Sequence, residues 1–98
     1  SKRGRTILLD LVKSSHMLVE NFLPGTLEKW DIGPAILHKV NRKLIIVRIS
    51  GWGQNGPDRT VPGFGTLVEA RSGFAAMNGF ADRSPVLPPL ALADMVAD

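Results

Sequence analysis

Cysteine is missing altogether from this sequence, and so are long apolar runs and paired histidines. Without cysteine, the 98-residue chain can form neither a disulfide framework nor a thiolate metal site. Its apolar runs are too short to span a bilayer, and its basic start is followed by no signal-peptide cleavage site. Neither His16 nor His38 has a second ligand at metal-binding spacing. We therefore expect a cytoplasmic protein of at most one domain, with no metal and no membrane partner.

Positive charge is concentrated in the first half of the chain. Residues 1–50 hold nine Lys and Arg against four Asp and Glu, whereas residues 51–98 hold three against five. A basic half could meet an anionic cofactor or a nucleic acid. A nucleic-acid binder would use a scattered set of cations: Lys2, Arg3, Arg5, Arg42 and Lys43. Because no aromatic residues are interleaved with them, this is the weaker alternative, and we predict no nucleic-acid partner.

The order of the secondary-structure signals predicts an α/β fold. Apolar residues at helical spacing predict a helix over 5–14. Strands are predicted at MLVENF and at LIIVRIS, residues 44–50, which is apolar enough for a strand buried on both faces. The connection between them is about two dozen residues with helical pieces, so the strands should be parallel with a right-handed crossover. This is part of an open, mainly parallel, Rossmann-like sheet with flanking helices, which binds ligands beyond the strands' carboxyl ends.

Turn-forming residues mark the ends of the other elements. Thr26 is predicted as the N-cap of a helix in GTLEKWDIG, Gly33 as its stop, and Pro34 as the first-turn proline of the next helix. Residues 51–89 contain 12 of the 17 Gly and Pro residues. The second half should therefore be loop-rich, with one helix at GFGTLVEARSG that Gly73 closes.

Two loops follow the predicted strands and are candidates for ligand binding. ENFLPG offers the Asn21 amide and the Phe22 ring to a planar ligand, although a Pro-Gly turn alone would also explain the segment. SGWGQNGP has three glycines that allow close backbone approach, and Trp52 could cover an adenine or a pantetheine chain. Its GxGxxG order is a weak match because no helix should follow Pro57. A loop without a ligand stays open as the alternative.

The last apolar stretch carries a single acid. From Pro85 to Ala97 every side chain is apolar except that of Asp94. Asp94 could cap a helix that starts at Met95, since Asp is a favoured N-cap residue. Alternatively, poor solvation among apolar side chains would make its ionised form a stronger nucleophile. The two roles are compatible, and both stay open at this point.

Four segments together resemble the class III CoA-transferases, the family that includes formyl-CoA transferase, crotonobetainyl-CoA:carnitine CoA-transferase and alpha-methylacyl-CoA racemase. They are GRTILLDLVKSSHMLVENFLPGTLEKW, LIIVRISGWGQNGP, PGFGTLVEARSG and PLALADMVA, in family order. Members of this family are much longer and form interlocked homodimers. The resemblance therefore implies that residues 1–98 are a single partial domain, a fragment of the CoA-binding domain of such an enzyme.

The resemblance also implies a role for particular residues. Asp94 would be the nucleophile that forms an aspartyl anhydride with an acyl-CoA and then an aspartyl-CoA thioester. A small carboxylic acid would then accept the CoA, and no metal is needed. The CoA contacts that the resemblance implies are Asn21, Phe22, Leu23, Lys29, Ile49, Ser50, Gly51 and Trp52. Lys29 suits a phosphate group.

Several positions depart from the family pattern. Phe64-Gly65 stand where the racemase branch carries a His-Asp pair, which favours the transferase branch. Gly65 also replaces an Asp common among the transferases, and Ser50 stands where formyl-CoA transferases have a Lys. The family's glycine-rich loop and small domain have no counterpart here. A catalytically silent folding or assembly unit is therefore the alternative to an enzyme.

Overall fold

The computed structural model describes residues 1–97, in two compact units: Ser1–Ile49 and a second unit that starts at Ser50. The elements are α1 (Lys2–Ser14), β1 (Met17–Glu20), α2 (Thr26–Lys29), α3 (Pro34–Val40), β2 (Ile45–Arg48), α4 (Gly65–Arg71), α5 (Phe74–Met77) and α6 (Leu92–Ala97). The predicted α/β fold class is confirmed. None of the helices within residues 1–97 has both the length and the apolar character needed to cross a membrane.

The strands β1 and β2 form a two-stranded parallel sheet, as the helical crossover between them predicted. The register aligns Met17 with Ile45 and Glu20 with Arg48. Pairing continues one residue further, because the Ile49 N–H donates to the Glu20 carbonyl oxygen at 2.9 Å. The carboxyl ends of both strands therefore lie side by side at one edge of the sheet.

The core of the first unit lies between α1, α3 and one face of the sheet. Its members are apolar side chains that are buried or half-buried: Leu8, Leu9, Val12, Leu18, Leu37, Val40, Leu44 and Ile46. Beside this core, the Asn41 side-chain amide donates to the carbonyl oxygens of Val12 at 3.0 Å and Ser15 at 2.8 Å. The Val12 carbonyl oxygen also accepts the Ser15 N–H at 3.2 Å, so Asn41 adds a second donor there and ties the end of α3 to the end of α1.

The other face of the sheet is open. Val19 is 59% exposed and Ile45 56% exposed, and both point to the side opposite Leu18 and Ile46. The prediction of a β2 strand buried on both faces was wrong for the described part of the chain. The reason is that no element of the first unit covers the face that carries Val19 and Ile45.

Glycines begin and end several of the helices. Gly25 is the N-cap of α2 with φ 90°, a left-handed conformation that favours glycine. Thr26 is thus the first residue of the helix, and its prediction as the N-cap was wrong. Gly33 is the N-cap of α3 with Pro34 in the first turn, which confirms the proline's predicted position. Gly73, with φ 84°, follows the C-cap of α4, as predicted.

In the second unit, α4 contacts both α5 and α6. The four-residue helix α5 was not predicted. Helix α6 begins at Leu92, which places Asp94 in its first turn. The Met95 N–H already donates to the Ala91 carbonyl oxygen at 3.0 Å, so helical hydrogen bonding starts earlier than predicted. The prediction that Asp94 caps a helix starting at Met95 was therefore wrong.

Candidate functional site

The adjoining strand ends carry an ion-pair network that the sequence analysis missed. Arg48 Nε donates to Glu20 Oε1 at 2.5 Å, and the terminal guanidinium nitrogens of Arg48 bind the two Glu28 oxygens at 2.7 and 3.2 Å. The Glu20 side chain is only 3% exposed, whereas that of Glu28 is 48% exposed. The network therefore joins β1, β2 and α2, with its buried arm at Glu20.

Hydrogen bonding within this network also alters proton affinity. The hydrogen bond from Arg48 holds the pKa of Glu28 below its ordinary value. The same bond raises the pKa of the Arg48 guanidinium, which therefore stays protonated. A signal for the pair was present in the sequence, because each apolar strand ends on a charge of opposite sign. Parallel pairing brings these two charges together.

The network orders the segment that follows β1. The second carboxylate oxygen of Glu20 accepts the Phe22 N–H at 2.8 Å. The Phe22 ring meets Trp30 edge to face, with ring centroids 5.2 Å apart and an interplanar angle of 72°. Asn21, Phe22 and Leu23 are all exposed at the carboxyl edge of the sheet. Three of the predicted CoA contacts thus lie where parallel sheets bind ligands.

Lys29 lies at the last position of α2 and lines a cavity of about 380 Å³. Lys2, Arg5 and Trp30 line the same cavity. Arg5 is held in place by donating to the Asp31 carbonyl oxygen at 3.0 Å. Cationic side chains next to an indole suit an anionic ligand with a planar group.

Gly51, at the start of the second unit, packs against Gly63. A Cβ at Gly51 would lie 2.6 Å from the Gly63 Cα, so the two backbones are in direct contact. Trp52 Nε1 donates to the Pro62 carbonyl oxygen at 3.3 Å, and the Arg71 guanidinium lies 5.4 Å from the centre of the Trp52 ring. Backbone packing therefore accounts for glycine at position 51.

Asp94 lies beside the start of α4. A Cβ at Gly65 would lie 2.8 Å from Asp94 Oδ1 and 3.0 Å from Oδ2. The carboxylate thus occupies the space that a side chain at position 65 would need, which gives Gly65 a physical explanation. Asp94 itself is exposed, and the apolar run before it is mostly exposed too. The poor solvation that the sequence suggested for the Asp94 carboxylate is therefore not found within residues 1–97.

Glu69 is a buried acid that the sequence analysis passed over. It lies in α4, is 6% exposed, and its Oε1 accepts the Ala93 N–H at 3.0 Å. This bond connects α4 to the residue directly before Asp94. An acid in the middle of a short helix usually faces solvent, so the sequence held little signal for this contact.

Each unit thus assembles its own subset of the predicted site. The first brings Asn21, Phe22, Leu23 and Ile49 to the carboxyl edge of its sheet, with Lys29 at the cavity. In the second, Gly51 and Trp52 contact residues 62–63, and Asp94 lies against Gly65, two residues further along the chain. Within residues 1–97 there is no group of three or more His, Asp or Glu side chains that could hold a metal ion.

Comparison with known proteins decides the family. The family model of CoA-transferase family III matches residues 1–97. The chain belongs to CoA-transferase family III. A solved structure similar to this CoA-transferase family III chain is a CAIB/BAIF family protein from Brucella suis, with a TM-score of 0.90 and 30% identity. The likeness covers 96% of this chain and 25% of that one, and it confirms the fold class.

Curated relatives are named both as CoA-transferases and as a racemase. A succinyl-CoA–D-citramalate CoA-transferase from Chloroflexus aurantiacus is 44% identical over 94 residues, which are 96% of this chain and 23% of the relative. The human alpha-methylacyl-CoA racemase is 38% identical over 92 residues, 94% of this chain and 24% of the relative. The chain therefore spans about a quarter of the length of these relatives.

Proposed function

We propose that this chain is the CoA-binding and nucleophile-bearing part, a single partial domain, of an enzyme that transfers CoA from an acyl-CoA to a free carboxylic acid. The observation that carries the proposal is the Asp94 carboxylate, which is exposed in the first turn of α6 and lies against Gly65. Family membership and the CoA-transferase names of the relatives support it.

In the proposed mechanism, Asp94 exchanges acyl groups without any proton transfer. An Asp94 oxygen attacks the thioester carbon, the C–S bond breaks, and a mixed anhydride forms while CoA leaves as thiolate. Asp94 Cγ then accepts the thiolate, which releases the first acid as a carboxylate and leaves an aspartyl-CoA thioester. The acceptor carboxylate attacks the same Cγ, the Cγ–S bond breaks, and CoA leaves as thiolate while a second anhydride forms. The thiolate then attacks the acceptor's acyl carbon, which breaks its bond to the Asp94 oxygen, yields the new acyl-CoA and regenerates the Asp94 carboxylate. The covalent route divides one difficult exchange into easier steps.

The surroundings of Asp94 favour transfer over racemisation. A two-base racemisation needs a second proton acceptor near the reacting carbon, and position 64 before Gly65 holds a phenylalanine. Glycine at position 65 leaves one side of the carboxylate free of side chain. Both features suit a nucleophile that must be reached by an acyl carbon and then by a thiolate.

The proposed CoA contacts fall into one set in each unit. In the first unit they are Asn21, Phe22, Leu23, Lys29 and Ile49; in the second they are Ser50, Gly51 and Trp52. Their support is their position after the strands, the exposure of residues 21–23, and the cationic side chain of Lys29 at a cavity. The chemistry fits the phosphates and the adenine of CoA.

The test compares Asp94→Asn with Asp82→Asn in the full-length protein that carries this sequence. Asp82 is an exposed acid in a loop of the same unit, so its variant controls for the loss of one charge. With succinyl-CoA as donor, the donor named for the relatives, we expect Asp94→Asn to abolish acyl transfer and the hydroxylamine-trappable aspartyl thioester. Asp82→Asn should keep both. Undiminished transfer by Asp94→Asn contradicts the proposal.

A catalytically silent folding or assembly unit is the second candidate for the 98 residues by themselves. The observation that favours it is the open sheet face with Val19 and Ile45 exposed, in a chain that spans 23% of a relative. Calorimetric titration of the chain with CoA separates the two, because a silent unit gives no binding heat. Saturable binding that Lys29→Ala weakens would speak for the enzyme part.

Assembly and location follow from the family resemblance as further proposals. Two relatives are named as the alpha and beta subunits of a succinyl-CoA–L-malate CoA-transferase. We propose a homodimer for the intact protein. Light scattering of the full-length protein should give twice the mass of one chain, and the mass of a single chain would contradict the proposal. The cytoplasmic location stays a prediction from the sequence.

A further inference from the structure

Helix α6 receives its N-terminal cap from another helix. The residues before it, Leu90 and Ala91, are apolar and offer no side-chain oxygen to the free N–H groups of its first turn. Glu69 in α4 offers one, since its Oε1 accepts the Ala93 N–H at 3.0 Å across 24 residues of sequence. Burial of a polar side chain at 6% exposure is unfavourable without such a partner, so this bond accounts for an acceptor oxygen at position 69.

The same face of α4 also meets the Asp94 side chain. Gly65 and Glu69 are four residues apart in α4 and therefore lie one turn apart on one face. Gly65 provides the space in which the Asp94 carboxylate lies, and Glu69 holds the backbone N–H of the residue before Asp94. Two successive turns of α4 thus hold the Asp94 side chain and the backbone N–H of the residue before it in the first turn of α6.

We propose that Glu69 is a positioning residue for Asp94, an inference that rests on the proposed function. A six-residue helix has little stability of its own, so the direction of its first turn depends on contacts with its neighbours. The Glu69 carboxylate supplies that contact and keeps the Asp94 carboxylate against Gly65. Glu69 acts through its acceptor oxygen and does not touch the reacting atoms.

The test uses two matched substitutions in the full-length protein. Glu69→Gln keeps an oxygen at the acceptor position, whereas Glu69→Leu removes it and keeps a buried side chain of similar size. Because misplacement of a reacting group by about 1 Å costs on the order of 100-fold, we expect Glu69→Leu to lower kcat by roughly 10- to 100-fold, with KM for the acyl-CoA changed less than about threefold. Glu69→Gln should keep kcat within about threefold of the wild type. An equal loss of kcat in both variants, or no loss in either, overturns the inference.

A second measurement is independent of activity. We expect the Ala93 amide of the wild-type chain and of Glu69→Gln to exchange with solvent more slowly than that of Glu69→Leu, by roughly fivefold, the factor typical of a lost cap. Equal exchange in all three overturns the positioning role even where transfer occurs. A protected Ala93 amide without any aspartyl thioester in the wild type overturns the proposed function, and it limits Glu69 to capping α6.

Should Glu69→Leu fail to fold, Gly65→Ala moves the carboxylate directly and leaves the cap in place. Its Cβ would lie 2.8 Å from Asp94 Oδ1, so the carboxylate must shift. We expect a loss of kcat on the order of tenfold or more with exchange of the Ala93 amide unchanged. Wild-type kcat in Gly65→Ala would show that the position of Asp94 against α4 is unimportant, and it would overturn the inference as well.

Discussion

Replacement of Arg48 by methionine tests whether the buried arm of the ion-pair network stabilises the first unit. Methionine keeps an unbranched side chain as far as the position of Arg48 Nε but has no hydrogen-bond donor. The substitution breaks the bond to Glu20 and both bonds to Glu28 at once. The loss in the free energy of unfolding should therefore be large. Most of it should come from the lost partner of Glu20 and less from that of Glu28.

The expected magnitude follows from the exposure of the two acids. Glu20, with its side chain 3% exposed, would keep the Phe22 N–H as a donor but lose its countercharge, which costs about 3 kcal/mol. Glu28, at 48% exposure, is screened by water and contributes about 0.5 kcal/mol. We expect Arg48→Met to lower the free energy of unfolding by about 3–4 kcal/mol.

The assay is urea unfolding of the 98-residue chain, followed by tryptophan fluorescence. Each variant also carries Trp52→Phe, so that Trp30 is the only tryptophan of the 98 residues. Trp30 contacts the Phe22 ring next to the network and therefore reports on the first unit. Glu28→Gln is the matched control and should cost no more than about 1 kcal/mol. The double variant Glu20→Gln/Arg48→Met removes both buried charges and should unfold within about 1 kcal/mol of the wild type.

Two outcomes would refute this reasoning. If Arg48→Met and Glu28→Gln lower stability by the same amount, the buried arm has no special importance. If the double variant is less stable than Arg48→Met alone, the cost does not come from an unpaired Glu20 charge. Either result would show that exposure does not decide how much each arm of the network contributes.

Two further predictions concern the acid range and the glycine contact. Arg48 lowers the folded-state pKa of Glu28, so the stability that this pair supplies is complete above the ordinary Glu pKa and is lost as pH falls through the lower folded value. When the free energy of unfolding is measured at decreasing acid pH, Glu28→Gln should therefore lose less stability than the wild type. Gly51→Ala would place a Cβ 2.6 Å from the Gly63 Cα. We expect it to lower the free energy of unfolding by about 2 kcal/mol, measured by Trp52 fluorescence during urea unfolding. Gly56→Ala, whose Cβ would keep an ordinary 3.4 Å contact, is its control, and equal losses in the two variants would contradict the close approach.

The arrangement of the first unit was largely predictable from its sequence. The apolar strands and the helical connection between them determined parallel pairing, and Pro34 marked the start of α3. What local patterns do not contain is which surfaces other elements cover. For this reason the exposure of Val19 and Ile45 was not anticipated. The N-cap of α2 was assigned to Thr26 instead of Gly25, because the left-handed backbone of Gly25 is not visible in the residue pattern.

The site was predictable as a set of residue types but less so as a set of contacts. Segments in family order pointed to Asp94 and to the residues after each strand, and those roles remain predictions. Contacts made across long sequence separations were missed, since Glu69 and Ala93 are 24 residues apart and Arg48 and Glu20 are 28 apart. Such pairs depend on packing geometry, which composition and periodicity do not specify.

The pairing of Glu20 with Arg48 has a consequence for how the two strands find their alignment. The remaining pairs, such as Met17 with Ile45 and Val19 with Val47, join apolar side chains that would accept one another in several registers. A slip would separate the opposite charges and leave each beside an apolar partner. The ion pair thus favours the observed register over shifted ones. It favours this strand partner over the equally apolar strand of another chain, which could otherwise pair with an edge of the two-stranded sheet.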